Sequence, residues 1–366
     1  MNPCSILMPI FLGAIVFDWS IFAITMGENS SQPRSLRMAG QEPTPRARRL
    51  PDWFRTSLPS GEEQRVFLQT KSSVKDNKLH TVCEEARCPN IHNCWSSGDA
   101  TFMIAGQECT RGCRFCAVGT IKRPPPLDIE EPSHLAEAVA SMPLRHAVIT
   151  VVNRDDLADS GAQHYKDCID EVAKTSPEVT LELLCSDLAG DIEALQLLLT
   201  DSPLKVFAHN VECVPRLDKT VRDHRASFEQ SLTILREAKR IRPDIFTKTS
   251  LMVGLGETDE EILEAMKLCA EAGVDLITLG QYLAPSKKHL AVDRFPQPDL
   301  YHIWGKEAIA MGFLGVASGP LVRSSFKAGY LYRKLHDKNN TEVIPEAFVM
   351  VNPNSDNQPT RLKTHN

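Results

Sequence analysis

The stretch Thr101-Phe-Met-Ile-Ala105-Gly-Gln-Glu-Cys109-Thr-Arg-Gly-Cys113-Arg-Phe-Cys116 decides how the chain is read. Its first five residues form a short apolar run that Gly106 ends, the pattern of a buried strand. Three cysteines follow at C-x3-C-x2-C spacing, which places them in the loop at the carboxyl end of that strand. Upstream, Cys83, Cys88 and Cys94 form a second triplet at C-x4-C-x5-C spacing. Six of the eleven cysteines therefore crowd into 34 residues, while the other five are scattered singly. Short triplets among Pro, Gly and Arg wrap a metal or cluster more readily than they cross-link a core.

Downstream of this stretch the chain alternates. Helical patterns at Pro132–Met142, Ala162–Lys174, Asp191–Leu199, Phe228–Arg240, the segment capped by Thr258-x-x-Glu261, and Asp299–Met311 separate apolar runs. Those runs are His146–Val152, Val179–Leu184, Leu204–Ala208, Phe246–Val253, Val274–Leu279 and Phe313–Ala317. Ser227-x-x-Gln230 and Thr258-x-x-Glu261 read as capping boxes, and Gly273 ends the second of these helices. Strict alternation predicts an α/β fold with a parallel sheet and right-handed crossovers, a partial or full (β/α) barrel of about six units. Ligands then bind at the carboxyl ends of the strands, where the second triplet lies.

Length and composition bound the rest. A chain of 366 residues can bury a full core, and its net charge of -6 argues against general nucleic-acid binding. Unpaired cysteines in so long a chain indicate a reducing compartment, read as cytoplasmic, and not a secreted disulfide framework. Ile6–Thr25 is apolar enough to suggest a signal or membrane segment, but Asp18 interrupts it and no basic residue precedes it. A start codon at Met26 or Met38 is equally compatible. Gln32–Arg55 is rich in Pro, Ser and Arg, which suits a disordered leader or a transit peptide to the mitochondrial matrix or a plastid. No stable membrane association is expected.

Three thiolates on one loop are short of the four protein ligands usual for structural zinc or a complete iron–sulfur cluster. A zinc site with a distant fourth ligand is one reading; a four-iron cluster with one open iron is the other. The spacing, with Phe115 before the last cysteine, resembles the radical S-adenosylmethionine superfamily. That resemblance implies that the open iron chelates S-adenosylmethionine and that one electron cleaves it to a 5′-deoxyadenosyl radical. Leu251-Met-Val-Gly-Leu-Gly-Glu257 resembles a second superfamily element, although Ser250 stands where glycine is usual and a plain turn explains the glycines equally well.

The first triplet narrows the family. Thr81-Val-Cys-Glu-Glu-Ala-Arg-Cys-Pro-Asn90, Cys94-Trp95, Arg154-Asp-Asp-Leu-Ala-Asp159, His209-Asn210, Val214–Leu217, Gly280-Gln-Tyr-Leu283 and Gly319–Phe326 closely resemble lipoyl synthases over residues 50 to 330. The resemblance implies insertion of two sulfurs at carbons 6 and 8 of a protein-bound octanoyl chain. It implies two 4Fe-4S clusters and S-adenosyl-L-methionine as cofactors. Cys109, Cys113 and Cys116 would hold the radical-generating cluster. Cys83, Cys88, Cys94 and Ser325 would hold an auxiliary cluster that donates sulfur, with Ser324 as the alternative fourth ligand. Phe326 replaces the family's usual tyrosine.

Phe115, Asp155, Asp156, His209, Asn210 and Gln281 are the expected contacts of S-adenosylmethionine or substrate, with Asp159 and Arg323 as weaker candidates. Asp155, Asp156 and Asp159 also suit a helix start. Cys168, Cys185, Cys213 and Cys269 are expected in the core. The implied partners are octanoylated lipoyl domains of 2-oxoacid dehydrogenase complexes, the glycine-cleavage H protein, a ferredoxin or flavodoxin, and cluster-carrier proteins. The expected layout is a leader at 1–49, an extension with the auxiliary cysteines at 50–100, a radical S-adenosylmethionine barrel at 101–320, and a serine-bearing segment with a flexible tail at 321–366. An enzyme of the same superfamily using its auxiliary cluster for electron transfer, or a zinc-binding interaction module, are the other readings.

Overall fold

The computed structural model describes residues 50–54, 60–76, 88–336 and 347–350. Cys83, the apolar stretch Ile6–Thr25 and the leader through residue 49 lie outside them.

The apolar run at 101–105 is strand β1 (Asp99–Ile104), and a positive φ at Ala105 and Gly106 turns the chain off its end. Two short strands, β2 (Glu108–Cys109) and β3 (Gly119–Thr120), then pair in parallel and tie together the two feet of the cysteine loop. The remaining strands are β4 (His146–Val151), β5 (Thr180–Leu184), β6 (Val206–Ala208), β7 (Phe246–Val253), β8 (Leu276–Gln281), β9 (Gly315–Gly319) and β10 (Phe348–Met350). One sheet runs β1-β4-β5-β6-β7-β8-β9-β10, parallel up to β9, with β10 antiparallel at the edge. Most of these strands are buried along both faces, as expected where helices cover one side and a filled lumen the other.

The helices are α1 (Gly61–Asp76), α2 (Ile91–Ser96), α3 (Glu131–Ala140), α4 (Ala162–Thr175), α5 (Ile192–Leu199), α6 (Asp218–Val221), α7 (Phe228–Ile241), α8 (Asp259–Glu271), α9 (Pro298–Ala310) and α10 (Ala328–His336). The capping box of α8 is complete: Thr258 N donates to Glu261 Oε2 (2.8 Å) and Glu261 N to Thr258 Oγ1 (3.3 Å). That of α7 is half made. Ser227 Oγ accepts from Gln230 N (3.1 Å), but the Gln230 side chain donates to Asp187 Oδ2 instead (2.7 Å). Cys168, Cys185, Cys213 and Cys269 are all buried, and no described cysteine is in a disulfide.

Among the described residues no ladder joins β1 to β9 or β10, so the barrel is partial. Its open side is crossed by the segment after β9: Phe326 packs against both the apolar cluster around β1 and that around Ala317 of β9. α10 follows and fills the amino-terminal end of the sheet, with Arg333 3.7 Å from the buried Asp99 and Tyr332 edge-on to Phe246. Beneath it Lys248 Nζ lies 2.7 Å from Glu182 Oε1 and His146 Nε2 3.5 Å from Glu182 Oε2, all three side chains buried. Burial works against the Glu182 charge, but Lys248 and His146 hold its carboxyl below the ordinary range. Removing one partner of such a pair costs about 3–5 kcal/mol, because the other is left charged in the interior. The segment expected as a flexible tail thus contributes a helix and an edge strand; residues 351–366 lie outside the described ones.

Candidate active site and cluster-binding loops

Cys109, Cys113 and Cys116 line one cavity of about 240 Å³ at the carboxyl ends of the strands. The loop that carries them is held by backbone bonds to three other segments. Thr110 N donates to Asn153 O (3.0 Å), Arg114 N to Val221 O (2.9 Å) and Ile121 N to Cys109 O (3.0 Å). Two amides already point at sulfur: Arg111 N at Cys109 Sγ (3.4 Å) and Asp223 N at Cys113 Sγ (3.3 Å). Burial pushes the Cys113 thiol up to about 11 and raises that of Cys116 as well. Burial thus disfavours the thiolate forms, which a bound cation would stabilise.

Arg111, which lies inside the cysteine triplet but carries no spacing signal of its own, anchors the loop from below. Its guanidinium lies 2.6 Å from Asp155 Oδ1 and 2.6 Å from Asp187 Oδ2, with its side chain 2% exposed. Burial opposes its charge, but the two carboxylates more than offset this and raise its pKa. Asp155 also accepts from Thr110 Oγ1 (2.6 Å) and lies 3.3 Å from Arg225. Asp156 is engaged by Arg154 through two bonds of 2.9 Å, and Arg154 donates onward to the carbonyls of Ala105 (3.2 Å) and Pro125 (3.1 Å). Asp159 accepts from Gly161 N and Gln163 N at 2.9 Å, a helix-start role at α4. The sequence places these three aspartates at the site, but their carboxylates face arginines and amides.

His209 and Gln281 are likewise committed to the protein. His209 Nδ1 donates to Cys185 O (2.9 Å) and Nε2 accepts from Ser231 Oγ (2.9 Å); burial lowers its pKa to about 4, so the ring is neutral. Gln281 Nε2 donates to the carbonyls of Val253, Tyr282 and Arg294 at 3.0–3.1 Å, and its Oε1 accepts from Tyr301 (3.2 Å). A Cβ at Gly254 would fall 2.1 Å from Gln281 Nε2, so glycine there makes room for this amide. The amides of Gly254 (2.6 Å) and Leu255 (2.8 Å) are capped by Glu257. The Gly-Leu-Gly-Glu run is thus a self-satisfied turn.

Asn210 differs. Its Nδ2 donates to Glu212 Oε1 (3.2 Å), while its buried Oδ1 has no partner among the described residues. With Phe115 and Glu212 it forms the wall shared by the first cavity and a second of about 160 Å³. Glu212 escaped the sequence reading because it carries no spacing signal. It stands out by its positive φ of 66° and by burial that raises its carboxyl pKa.

The second cavity leads to the late segment, being lined by Gly280, Gln281, Val322, Arg323 and Ser324. Val322 O comes so close to β8 that a Cβ at Gly280 would stand 2.1 Å away. Arg323 is half-buried, donates to the carbonyls of Val322 (2.8 Å) and Gln281 (3.3 Å), and acts electrostatically on Cys88. Asn90 Nδ2 reaches Leu321 O at 2.5 Å, tying the segment of Cys88 and Cys94 to the serine-bearing segment. Cys94 is buried in α2, and Ser325 is half-buried in the turn before α10. Cys88 and the late turn are thereby brought to the side of the second cavity, while the other triplet lines the first.

Comparison with known proteins gives the family. The sequence model of the Radical SAM superfamily matches residues 103–269, which defines the class: a radical S-adenosylmethionine enzyme. That of the N-terminal domain of lipoyl synthase matches residues 22–88. Mitochondrial lipoyl synthases of Neurospora crassa (45% identical over 330 residues, 87% of this chain and 76% of that one) and Xenopus laevis (47% over 302 residues, 81% and 80%) are relatives. So is that of Bos taurus, at 47% identity over 302 residues, 81% of this chain and 80% of that one. The chain belongs to the lipoyl synthase family. It is an enzyme of radical S-adenosylmethionine lipoyl synthesis, with S-adenosylmethionine and iron–sulfur clusters as its class of cofactor. The relatives' names give the cytoplasmic expectation no support and favour the organellar alternative. Among solved structures, methylornithine synthase aligns over 69% of this chain and 76% of its own, with TM-score 0.46 and 12% identity.

Proposed function

We propose that the chain inserts sulfur at carbons 6 and 8 of an octanoyl chain held on a carrier-protein lysine, with a sacrificial auxiliary cluster as the sulfur source. The observation that carries this reading is a pair of adjacent cavities that share Phe115, Asn210 and Glu212: the C-x3-C-x2-C thiols line one, and Arg323 and Ser324 line the other, with Arg323 acting electrostatically on Cys88. Cys109, Cys113 and Cys116 would hold one 4Fe-4S cluster, and Cys83, Cys88, Cys94 and Ser325 the other. When bound, these clusters and S-adenosylmethionine supply the radical chemistry that an unactivated C–H bond demands, since such a bond offers no acidity to a general base.

The protein's own part is orientation and exclusion of water. Met103, Val118, Val151, Val152 and Leu184 give the first cavity apolar walls for an acyl chain, and Phe115 stands where the two cavities meet. Asn210 Oδ1 is an acceptor left for the bound cofactor or substrate, and Glu212 flanks it. Asp155, Asp156, His209 and Gln281 are positioning residues: they fix the loop, the β6 end and the β8 end. Ser325 is a harder ligand than thiolate, which suits a corner that is lost as sulfur departs.

The layout proposed is a leader at 1–49, an auxiliary-cluster extension at 50–100, a partial barrel at 101–320 and the serine-bearing segment beyond. We place the enzyme in mitochondria, with the Arg-rich leader as targeting segment. Its substrates are octanoylated lipoyl domains and the H protein, and a ferredoxin-type donor and cluster carriers serve it.

A single turnover with sulfur-34 in the reconstituted clusters tests the donor role. Labelled lipoyl product is expected, and an unlabelled product overturns it in favour of an electron-transfer auxiliary cluster. Anaerobic protein should be brown and carry about eight irons, as two four-iron clusters require; stoichiometric zinc without iron would instead mark an interaction module. Cys88→Ala should abolish lipoyl formation and leave S-adenosylmethionine cleavage measurable.

A further inference from the structure

Six cations that are scattered along the chain meet around the cysteine loop. Arg114 lies between Cys113 and Cys116, and its guanidinium donates to Thr220 O (3.2 Å), which brings Lys219 alongside. Its carbonyl accepts from Leu290 N (3.3 Å), and His289 bonds Cys116 O (3.0 Å), so the turn carrying Lys287 and Lys288 abuts the same loop. The Ile121–Cys109 bond (3.0 Å) holds the foot of the arm that carries Lys122 and Arg123. All six are exposed. None ion-pairs with a carboxylate among the described residues, whereas Arg225, just inside the rim, is taken by Asp223 (2.8 Å) and Asp155 (3.3 Å).

A concentration of unpaired positive charge is not an average property of a chain whose net charge is -6. Neighbouring like charges repel, and within a Debye length of about 8 Å they add to one field at the cavity mouth. An octanoyl-lysine arm is neutral and apolar, so the cavity that receives it does not use this field. The field acts on whatever surrounds the arm.

We propose that this rim is a docking surface for an acidic face of the folded carrier domain that bears the octanoyl-lysine. The proposal rests on the lipoyl-synthesis reading, because only then must the cavity receive an arm standing on another protein. Rim charges of this kind steer encounter and fix register, and their loss appears in association and salt dependence.

The test compares two substrates of the reconstituted holoenzyme, an octanoylated lipoyl domain and a short uncharged octanoyl-lysyl peptide. The variants are the charge reversals Lys122→Glu with Arg123→Glu, and Lys287→Glu with Lys288→Glu, none of which lines either cavity. Each pair should raise KM for the domain about tenfold and flatten its dependence on salt, with kcat and peptide turnover unchanged. An unchanged domain KM overturns the dock. So does equal loss with both substrates, which would place these residues in the site itself. Binding of single-stranded RNA or phosphatidylserine vesicles that the reversals abolish, with the domain KM unmoved, assigns the rim to another macromolecule and also overturns it. A wild-type holoenzyme that converts neither substrate overturns the lipoyl-synthesis reading, and with it the dock.

Discussion

Arg111 places its guanidinium on Asp155 and Asp187 with almost no exposure, so Arg111→Ala leaves two carboxylates without their cation beneath the cysteine loop. The expected cost is about 3–5 kcal/mol, read by urea unfolding of the anaerobic protein. Arg111→Lys should recover little of it, because one ammonium cannot span both acids as a planar fork does. His209 gives the pH dependence. Its pKa falls from 6.5 unfolded to about 4 folded, so the unfolded chain binds the extra proton between those values. The contribution is fully present above pH 6.5 and is lost as pH falls toward 4. That amounts to about 3 kcal/mol at the acid end. His209→Gln should flatten the wild-type slope of stability against pH over this window, and a slope equal to wild type would show that the ring is not the group responsible.

At the scale of elements, β8 and the segment after β9 are locked by the close approach of Val322 O to Gly280. Gly280→Ala must push that segment away from the second cavity. We expect lipoyl formation to fall about a hundredfold, as a displacement near 1 Å does in a positioned site. S-adenosylmethionine cleavage, assayed in parallel, should hold. The alternating elements were legible in the sequence because apolar runs and periodic helical stretches follow one another, many of them bounded by Gly, Pro or a cap. Thr258 and Glu261 behave as the capping box their spacing predicts. Gln230 does not, because a buried Asp187 competes for its amide. The same competition explains the site residues: the sequence marks Asp155, His209 and Gln281 as belonging to the strand ends, but only the fold shows that each already has partners. α10 was hidden because it follows the last βα unit and fills the sheet's amino end, a role that has no local signal.

For the whole molecule, the open side of the sheet is covered by residues from the far end of the chain. A chain ending at Pro320 would lose Phe326 from the gap and Arg333 from Asp99, together with the serines. It should retain about four irons per chain, against about eight in the full chain, with thermal unfolding shifted down. Equal iron content in the two proteins would show that the late segment is not needed to hold the auxiliary cluster.

The bond from Asn90 to Leu321 joins residues 231 positions apart. Its consequence lies in the order in which the site assembles. A contact that closes so long a loop forms after the pairings between neighbouring strands, whose loops are short. On the proposed ligand set the auxiliary corner would therefore be the last part of the site to be completed, in whichever compartment the chain folds.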